Sequence, residues 1–504
     1  MAFPLLRRAV LPQEVLLVCL IFLPYLTNGG KLSRVLGVVY PRLLESRSED
    51  GNKVIRIAED ITLNLQKSSL LGKEFLLRAY QGDIMEHNYL DGQMLEENLY
   101  HDSRALASVI VSDDDGLKVE GIISPQQGIK PLSSREGMRP GNNPHVLFAL
   151  APETYQHDTN TSSRPVSSYI SQRNSVPQGP LLNVTLELII IVDSYFRKQF
   201  STKDEMLQYL IISLNSVNLR YLTVSDPEVE IKLLAVEVCN HKLEEEFLVR
   251  SGKNRVDGLD TLLKLRRYVK WNQKKYQEYD AVYLITGLDM GFLGSRGWES
   301  GQLGIAFIGS VCATDKVGMG EDKARTFAGI RVMAHELGHI LGCPHDGYQY
   351  TGYSSKACPW YDGFMMTYLS NSSNSMKFSK CCNAAMTRLA RSGQGWCLTE
   401  TNAQRRIKKL FYTSELPGKV LNRNEVCKLA FPDVEGIRFA TDDGMARCYA
   451  RCYAPGLNKT LRTLLPDHSR CNETSVEGIE SRHKVCINGG CRTMRDRYPV
   501  EPVK

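Results

Sequence analysis

No cysteine occurs between Cys19 and Cys239, although the 504-residue chain has 14 of them. Residues 31–238 must therefore fold without disulfides, while thirteen thiols follow from Cys239 to Cys491. A long apolar run is missing too. After residue 30 no segment approaches the roughly 20 residues that a membrane-spanning helix needs, so no membrane span is expected. Charge of one sign is scarce: the net charge is +6, and the one basic block, Arg405-Arg406-Ile407-Lys408-Lys409, reads as a solvated linker. No nucleic-acid partner is expected. Between Lys31 and Asn183 there is no dibasic or furin-like site, and no Arg-Gly-Asp tripeptide occurs anywhere.

What is present divides the chain. Length alone argues for three or so folded units. Residues 1–30 read as a secretory signal peptide: Arg7 and Arg8, an apolar run from Val15 to Leu26, then Thr27 to Gly30. The cysteine crowding points to disulfides formed in an oxidising compartment. Sequons at Asn160, Asn183, Asn371, Asn458 and Asn472 are glycosylation candidates. A secreted, extracellular protein is expected.

Residues 31–180 contain half-buried strands such as 61–65 and 117–120, and close on a Ser/Asn/Pro-rich linker and cleavage zone, His157 to Pro180. Residues 181–402 alternate. The apolar run Val184 to Asp193 suits a central strand covered on both faces. Helices over 205–219 and 258–277, strands over 229–238, 279–286 and 303–311, and a long helix over 324–341 follow. This pattern predicts an α/β fold with a layered, twisted sheet. Residues 403–504 hold six cysteines and few apolar segments, as a small disulfide-stapled module would.

One segment carries chemistry: His335-Glu336-Leu337-Gly338-His339-Ile340-Leu341-Gly342-Cys343-Pro344-His345-Asp346. His335 and His339, four apart on a helix, present both imidazoles to one spot. Gly342 lets the chain leave the helix sharply, and His345 returns as the third ligand of a catalytic zinc. Glu336 can reach a water at that metal and serve as general base. Cys343 as a fourth protein ligand would close the site to water, so a disulfide is expected there instead.

With Asp346 after the third histidine, the motif resembles the metzincin zinc proteases, and within them the reprolysin (adamalysin-type) branch. The resemblance covers about residues 183–400 and continues in Val485-Cys486-Ile487-Asn488-Gly489-Gly490-Cys491. Its pattern is most similar to tick salivary reprolysins and to the catalytic plus disintegrin-like domains of the thrombospondin-motif subfamily. It implies a mostly parallel sheet with a long active-site helix at 181–402, a β-rich propeptide at 31–180 and a cysteine-rich disintegrin-like module at 403–504. It places Met366, in preference to Met365, in a methionine turn beneath the metal. It pairs Cys312 with Cys397, lets Cys343, Cys358, Cys381 and Cys382 form two more disulfides, and leaves Cys239 unpaired or linked elsewhere. A structural calcium would use Glu187, Asp280 and Glu400 as oxygen donors, although Glu187 could instead pair with a basic side chain. The strand 303–311 resembles the family's cleft-lining edge strand.

Reprolysin propeptides often carry a cysteine that occupies the zinc, and this one has none. Tyr80-Gln81-Gly82-Asp83-Ile84 is similar to an aspartate switch of astacins, but a turn between strands explains it better. The implied activity is that of a secreted zinc metalloendopeptidase acting on fibrinogen, fibrin or matrix proteins, with an anti-haemostatic role. The alternative is a secreted binding protein that works through the cysteine-rich module with little or no proteolysis. Lack of Arg-Gly-Asp gives integrin binding no support, and Glu336 beside three intact ligands favours catalysis.

Overall fold

The run around Ile189-Ile190-Ile191 is too apolar for a half-exposed strand, and it is buried on both faces. The computed structural model describes residues 34–46, 51–81, 84–113, 116–132, 143–150, 183–295, 297–350, 353–370, 372–402, 421–441, 448–466, 469–471, 484–487 and 489–493. The expected signal at 1–30 and both expected linkers lie outside them. The chain divides into two compact units, Met1–Arg406 and Ile407–Lys504.

In the first unit, strands β1 (Leu71–Gln81), β2 (Ile84–Asp91), β3 (Asn183–Val192), β4 (Glu228–Val238), β5 (Ala281–Thr286), β6 (Gly304–Ala306) and β7 (Val317–Glu321) form one sheet. Its order is β6-β7-β5-β3-β4-β1-β2. The five inner strands run parallel, while β6 and β2 pair antiparallel at the edges. Period-2 alternation sends the β3 side chains both ways. Leu186, Leu188, Ile190 and Val192 join one core with helices α1 (Lys203–Tyr221) and α3 (Gly329–Ile340). Ile189 and Ile191 join the opposite core with helix α2 (Gly258–Trp271).

Two of the seven strands, β1 and β2, come from the region before residue 150, so the sheet spans the boundary expected at 180. Gln81 pairs with Ile84, consistent with a hairpin; Gly82 and Asp83 lie outside the described residues. The rest of this region forms a nine-stranded antiparallel sheet between Val35 and Ala149.

Among the elements around α3, three depart from expectation. Helix α3 starts at Gly329 instead of 324, because Arg325 (φ 65°) and Phe327 (φ 56°) hold a conformation that stops a right-handed helix. The expected strand 303–311 pairs only over Gly304–Ala306. Beyond it Gly309 turns at φ 65° and donates its N–H to His339 O (2.8 Å), which ties the segment to the end of α3. Strand β7 was not anticipated, since Val-Gly-Met-Gly-Glu is a poor strand former. Its glycines admit the layer above: a Cβ on Gly320 would stand 2.2 Å from Tyr283 Oη and 2.8 Å from Val332 Cγ1 of α3.

The second unit has a helix, Arg423–Ala430, whose start is held by a reciprocal cap between Asn422 and Glu425. Strands Arg438–Thr441, Tyr449–Ala454 and Lys459–Leu464 form a sheet, and Lys484–Ile487 with Gly490–Thr493 a hairpin. Three disulfides staple it: Cys427–Cys452, Cys448–Cys486 and Cys471–Cys491. Of the sequons, Asn183 and Asn458 are exposed, while Asn160, Asn371 and Asn472 lie outside the described residues. Among the described residues no helix is long and apolar enough to cross a membrane.

Candidate metal centre

Helix α3 is buried along its whole length, including His335, Glu336 and His339. It ends where Gly342 takes φ 101°, with Gly342 N–H donating to His339 O (2.8 Å) and Cys343 N–H to Gly338 O (2.9 Å). That reversal brings His345 back. Its Nε2 lies 3.1 Å from Nε2 of His335 and 3.2 Å from Nε2 of His339. The other ring nitrogens face carbonyls: His335 Nδ1 donates to Met365 O (2.8 Å) and His339 Nδ1 to Cys343 O (2.6 Å). A nitrogen facing a carbonyl must carry the proton, which leaves the Nε2 lone pairs of these rings as the converging ones.

Electrostatics point the same way. Burial drives His335 well below the usual imidazole range and His339 down to about 4, so both are neutral donors. Burial also pushes Glu336 well above the carboxylate range, and its Oε2 has no hydrogen-bond partner. Three converging ring nitrogens beside an unsatisfied carboxyl are short of positive charge. Zinc fits this set: bonds of about 2.0–2.1 Å in a tetrahedron place ligand atoms about 3.3–3.4 Å apart, close to the two distances observed.

The floor is built by neighbours. Met366 is fully buried, and its sulfur lies 3.0 Å from where a Cβ on Gly338 would stand, between the two helical ligands. Asp346 donates its N–H to Met366 O (3.1 Å) and accepts from Ser379 Oγ (2.7 Å). Burial raises the Asp346 carboxyl to about 6 against that hydrogen bond.

Two residues escaped the sequence reading. Arg331, fully buried one turn before His335, donates to Ser375 O, Thr367 O (3.0 Å) and Leu369 O (3.0 Å), which ties α3 to the loop around Met366. A charge four residues before a ligand, on a buried helix face, was the available signal. The hydroxyl of Tyr368 lies 3.3 Å from His345 Nε2, with its ring edge-on to Trp360 at 5.0 Å. The edge strand is close as well: a Cβ on Gly304 would stand 2.6 Å from Glu336 Oε1.

The disulfides are Cys312–Cys397, Cys343–Cys382 and Cys358–Cys381, and Cys239 is a buried free thiol. The acidic set is only partly assembled. Glu187 N–H donates to Asp280 Oδ2 (2.9 Å), and both side chains are buried. Burial lifts Asp280 to about 8, opposed by that hydrogen bond and assisted by the charges of Glu187 and Glu400. Glu400 itself stays exposed. It is Asn402 whose N–H reaches Glu187 Oε1 (2.5 Å), and its own Oδ1 is buried without a partner. The buried Lys316 donates to Tyr279 O and favours ionised Asp280 through its charge.

Residues 185–402 match the description "Reprolysin (M12B) family zinc metalloprotease". The chain is 26% identical over 375 residues to the venom metalloproteinase BumaMPs1 of Olivierus martensii, covering 72% of this chain and 92% of that one. It is 24% identical over 388 residues to an antarease-like venom metalloproteinase of Tityus trivittatus, covering 72% and 93%. A Bombyx mori protein named as like a disintegrin and metalloproteinase with thrombospondin motifs is 26% identical over 335 residues, covering 61% and 44%. The histidine triad of zinc-binding geometry lies inside the segment, residues 185–402, that matches the reprolysin (M12B) family, and its chemistry is that of a zinc metalloendopeptidase.

Proposed function

We propose that this protein is secreted and cuts extracellular proteins, among them fibrinogen, fibrin and matrix components, in an anti-haemostatic role. The observation that carries the chemical reading is the convergence of three Nε2 atoms beside the buried Glu336 carboxyl. His335, His339 and His345 hold the metal. Zinc supplies a Lewis acid that polarises a water and the scissile carbonyl. Glu336 takes the water's proton and passes it to the departing amine. Strand β6 lies at the end of the sheet against Glu336, so a substrate added as an antiparallel strand passes the general base. Tyr368 donates its hydroxyl hydrogen to the developing oxyanion. Gly342, Asp346 and Met366 hold the ligands in place.

The relatives named as venom metalloproteinases support secretion and an extracellular target. On this reading 1–30 is the signal, 31–180 a propeptide and 403–504 a disintegrin-like module. A structural calcium would be held by Glu187 and Asp280, with Glu400 as the further candidate; two adjacent buried carboxylates suit a hard cation. The test is digestion of fibrinogen and gelatin beside Glu336→Ala and a zinc chelator. Cleavage lost in both controls is expected. No cleavage by zinc-loaded protein across a broad peptide library would overturn the proteolytic mechanism.

A further inference from the structure

Residues 34–149 have no cysteine to attach them to the catalytic body, yet they are built into that body's sheet. Strand β1 pairs in parallel with β4, from Leu71 opposite Leu233 to Ala79 opposite Val238. Leu70, Phe75, Leu77, Leu99 and Ile122 share one buried core with α1, β3 and α3. Polar contacts cross the same seam. Arg78, nearly buried, donates to the fully buried Glu237 (3.4 Å) and to Lys275 O (3.3 Å), and stacks over Tyr279. Ser108 Oγ donates to Ile212 O (2.9 Å) on α1 and accepts from Asn215 Nδ2 (3.0 Å). Leu233 N–H donates to Leu70 O (2.9 Å), and Lys232 Nζ to Ser69 O (2.7 Å).

Removing this region would leave β4 as a bare edge with unpaired backbone groups. Apolar side chains would be exposed, and Glu237 would lose a cationic partner in a buried place. Strand β1 also joins the sheet at the end opposite β6, the strand beside Glu336. We propose that residues 34–149 are a standing subunit of the catalytic sheet, retained non-covalently when the chain is cut between residues 150 and 183. The partner that the β4 edge fits is this chain's own N-terminal region, and the cut protein is a two-fragment complex.

The test places a site-specific protease sequence at about residue 165 of the full chain and cuts after folding, with completeness read on a denaturing gel. Native size exclusion at nanomolar concentration then reports whether the fragments travel together. Co-elution in equal amounts, with separation only in urea, is the expected result. Arg78→Ala should raise the dissociation rate of the cut protein by about tenfold or more, since it breaks a buried charge pair. Two separate peaks in native buffer, whatever the state of the released catalytic fragment, would overturn the proposal. The reading is independent of proteolysis, because elution does not depend on activity.

Discussion

Two buried ionisable clusters lie in the same catalytic body, and burial acts on them with opposite sign. At the imidazole cluster it drives His335 and His339 down, while at the carboxylate pair it lifts Asp280 to about 8. The cause is shared: burial disfavours whichever form is charged. The consequences differ. Neutral imidazoles bind a metal near pH 7 without losing a proton, whereas a carboxyl held neutral must first release one. The histidine site is therefore ready for its cation, whereas a cation at the acidic pair would have to displace hydrogen ions.

The contrast breaks most sharply on single deletions. His339→Ala should abolish cleavage and lower zinc affinity by more than the about 10–100-fold that loss of an outer-shell partner costs. Asp280→Asn should leave the cleavage rate near wild type. Zinc content after dialysis and initial rates on one peptide check both. Equal losses in the two variants would mean that the acidic pair acts on the active site.

Next in size is Arg331→Met. The substitution keeps bulk but strands the carbonyls of Ser375, Thr367 and Leu369, all now paired to one buried cation. Hydrogen bonds to charged groups contribute about 1.5–3 kcal/mol each, so a loss of about 3 kcal/mol or more is expected in urea unfolding of the zinc-loaded protein. Weaker zinc binding should accompany it, because the same loop carries Met365, whose carbonyl orients His335.

What the sequence disclosed follows from distance along the chain. His335, His339, Gly342 and His345 act within eleven residues, where helical period and one turn glycine determine geometry. Arg331 is invisible by that logic, because its partners arrive from a loop more than thirty residues later. The pairing of β1 with β4 joins residues about 160 apart, and neither strand announces its neighbour. Strand β7 hid behind its glycines, which serve packing against α3 at the expense of local propensity. The family resemblance points to Glu400, but the chain turns so that Asn402 meets Glu187.

Acidity sharpens the comparison further. Asp280 is raised from 3.8 to about 8 in the folded protein. Its folded form therefore binds a proton that the unfolded chain has already lost. Its contribution to stability is full below about pH 4 and disappears as pH rises through about 8. Calcium-free protein should thus lose melting temperature across that window. Calcium should restore little at pH 5 and several degrees at pH 8, and Asp280→Asn should flatten the profile. Scanning calorimetry in chelator and in calcium at both pH values measures this. A calcium effect larger at pH 5 than at pH 8 would contradict the burial argument.

The smallest effect separates two candidates for one role. Glu400 is exposed and acts on Asp280 only through its charge, so Glu400→Gln should shift calcium affinity by the modest energy of surface electrostatics, about 0.2–1 kcal/mol. Asn402 donates its N–H to Glu187, and its buried Oδ1 has no partner. That oxygen costs free energy where it stands unless a cation or a donor meets it. Asn402→Ala removes the oxygen and keeps the backbone bond, so it should lower calcium affinity well beyond Glu400→Gln if the oxygen faces the ion. Isothermal titration with calcium at pH 8 ranks the two. If Glu400→Gln proves the weaker binder, the family resemblance is the better guide and Asn402 only closes the strand end.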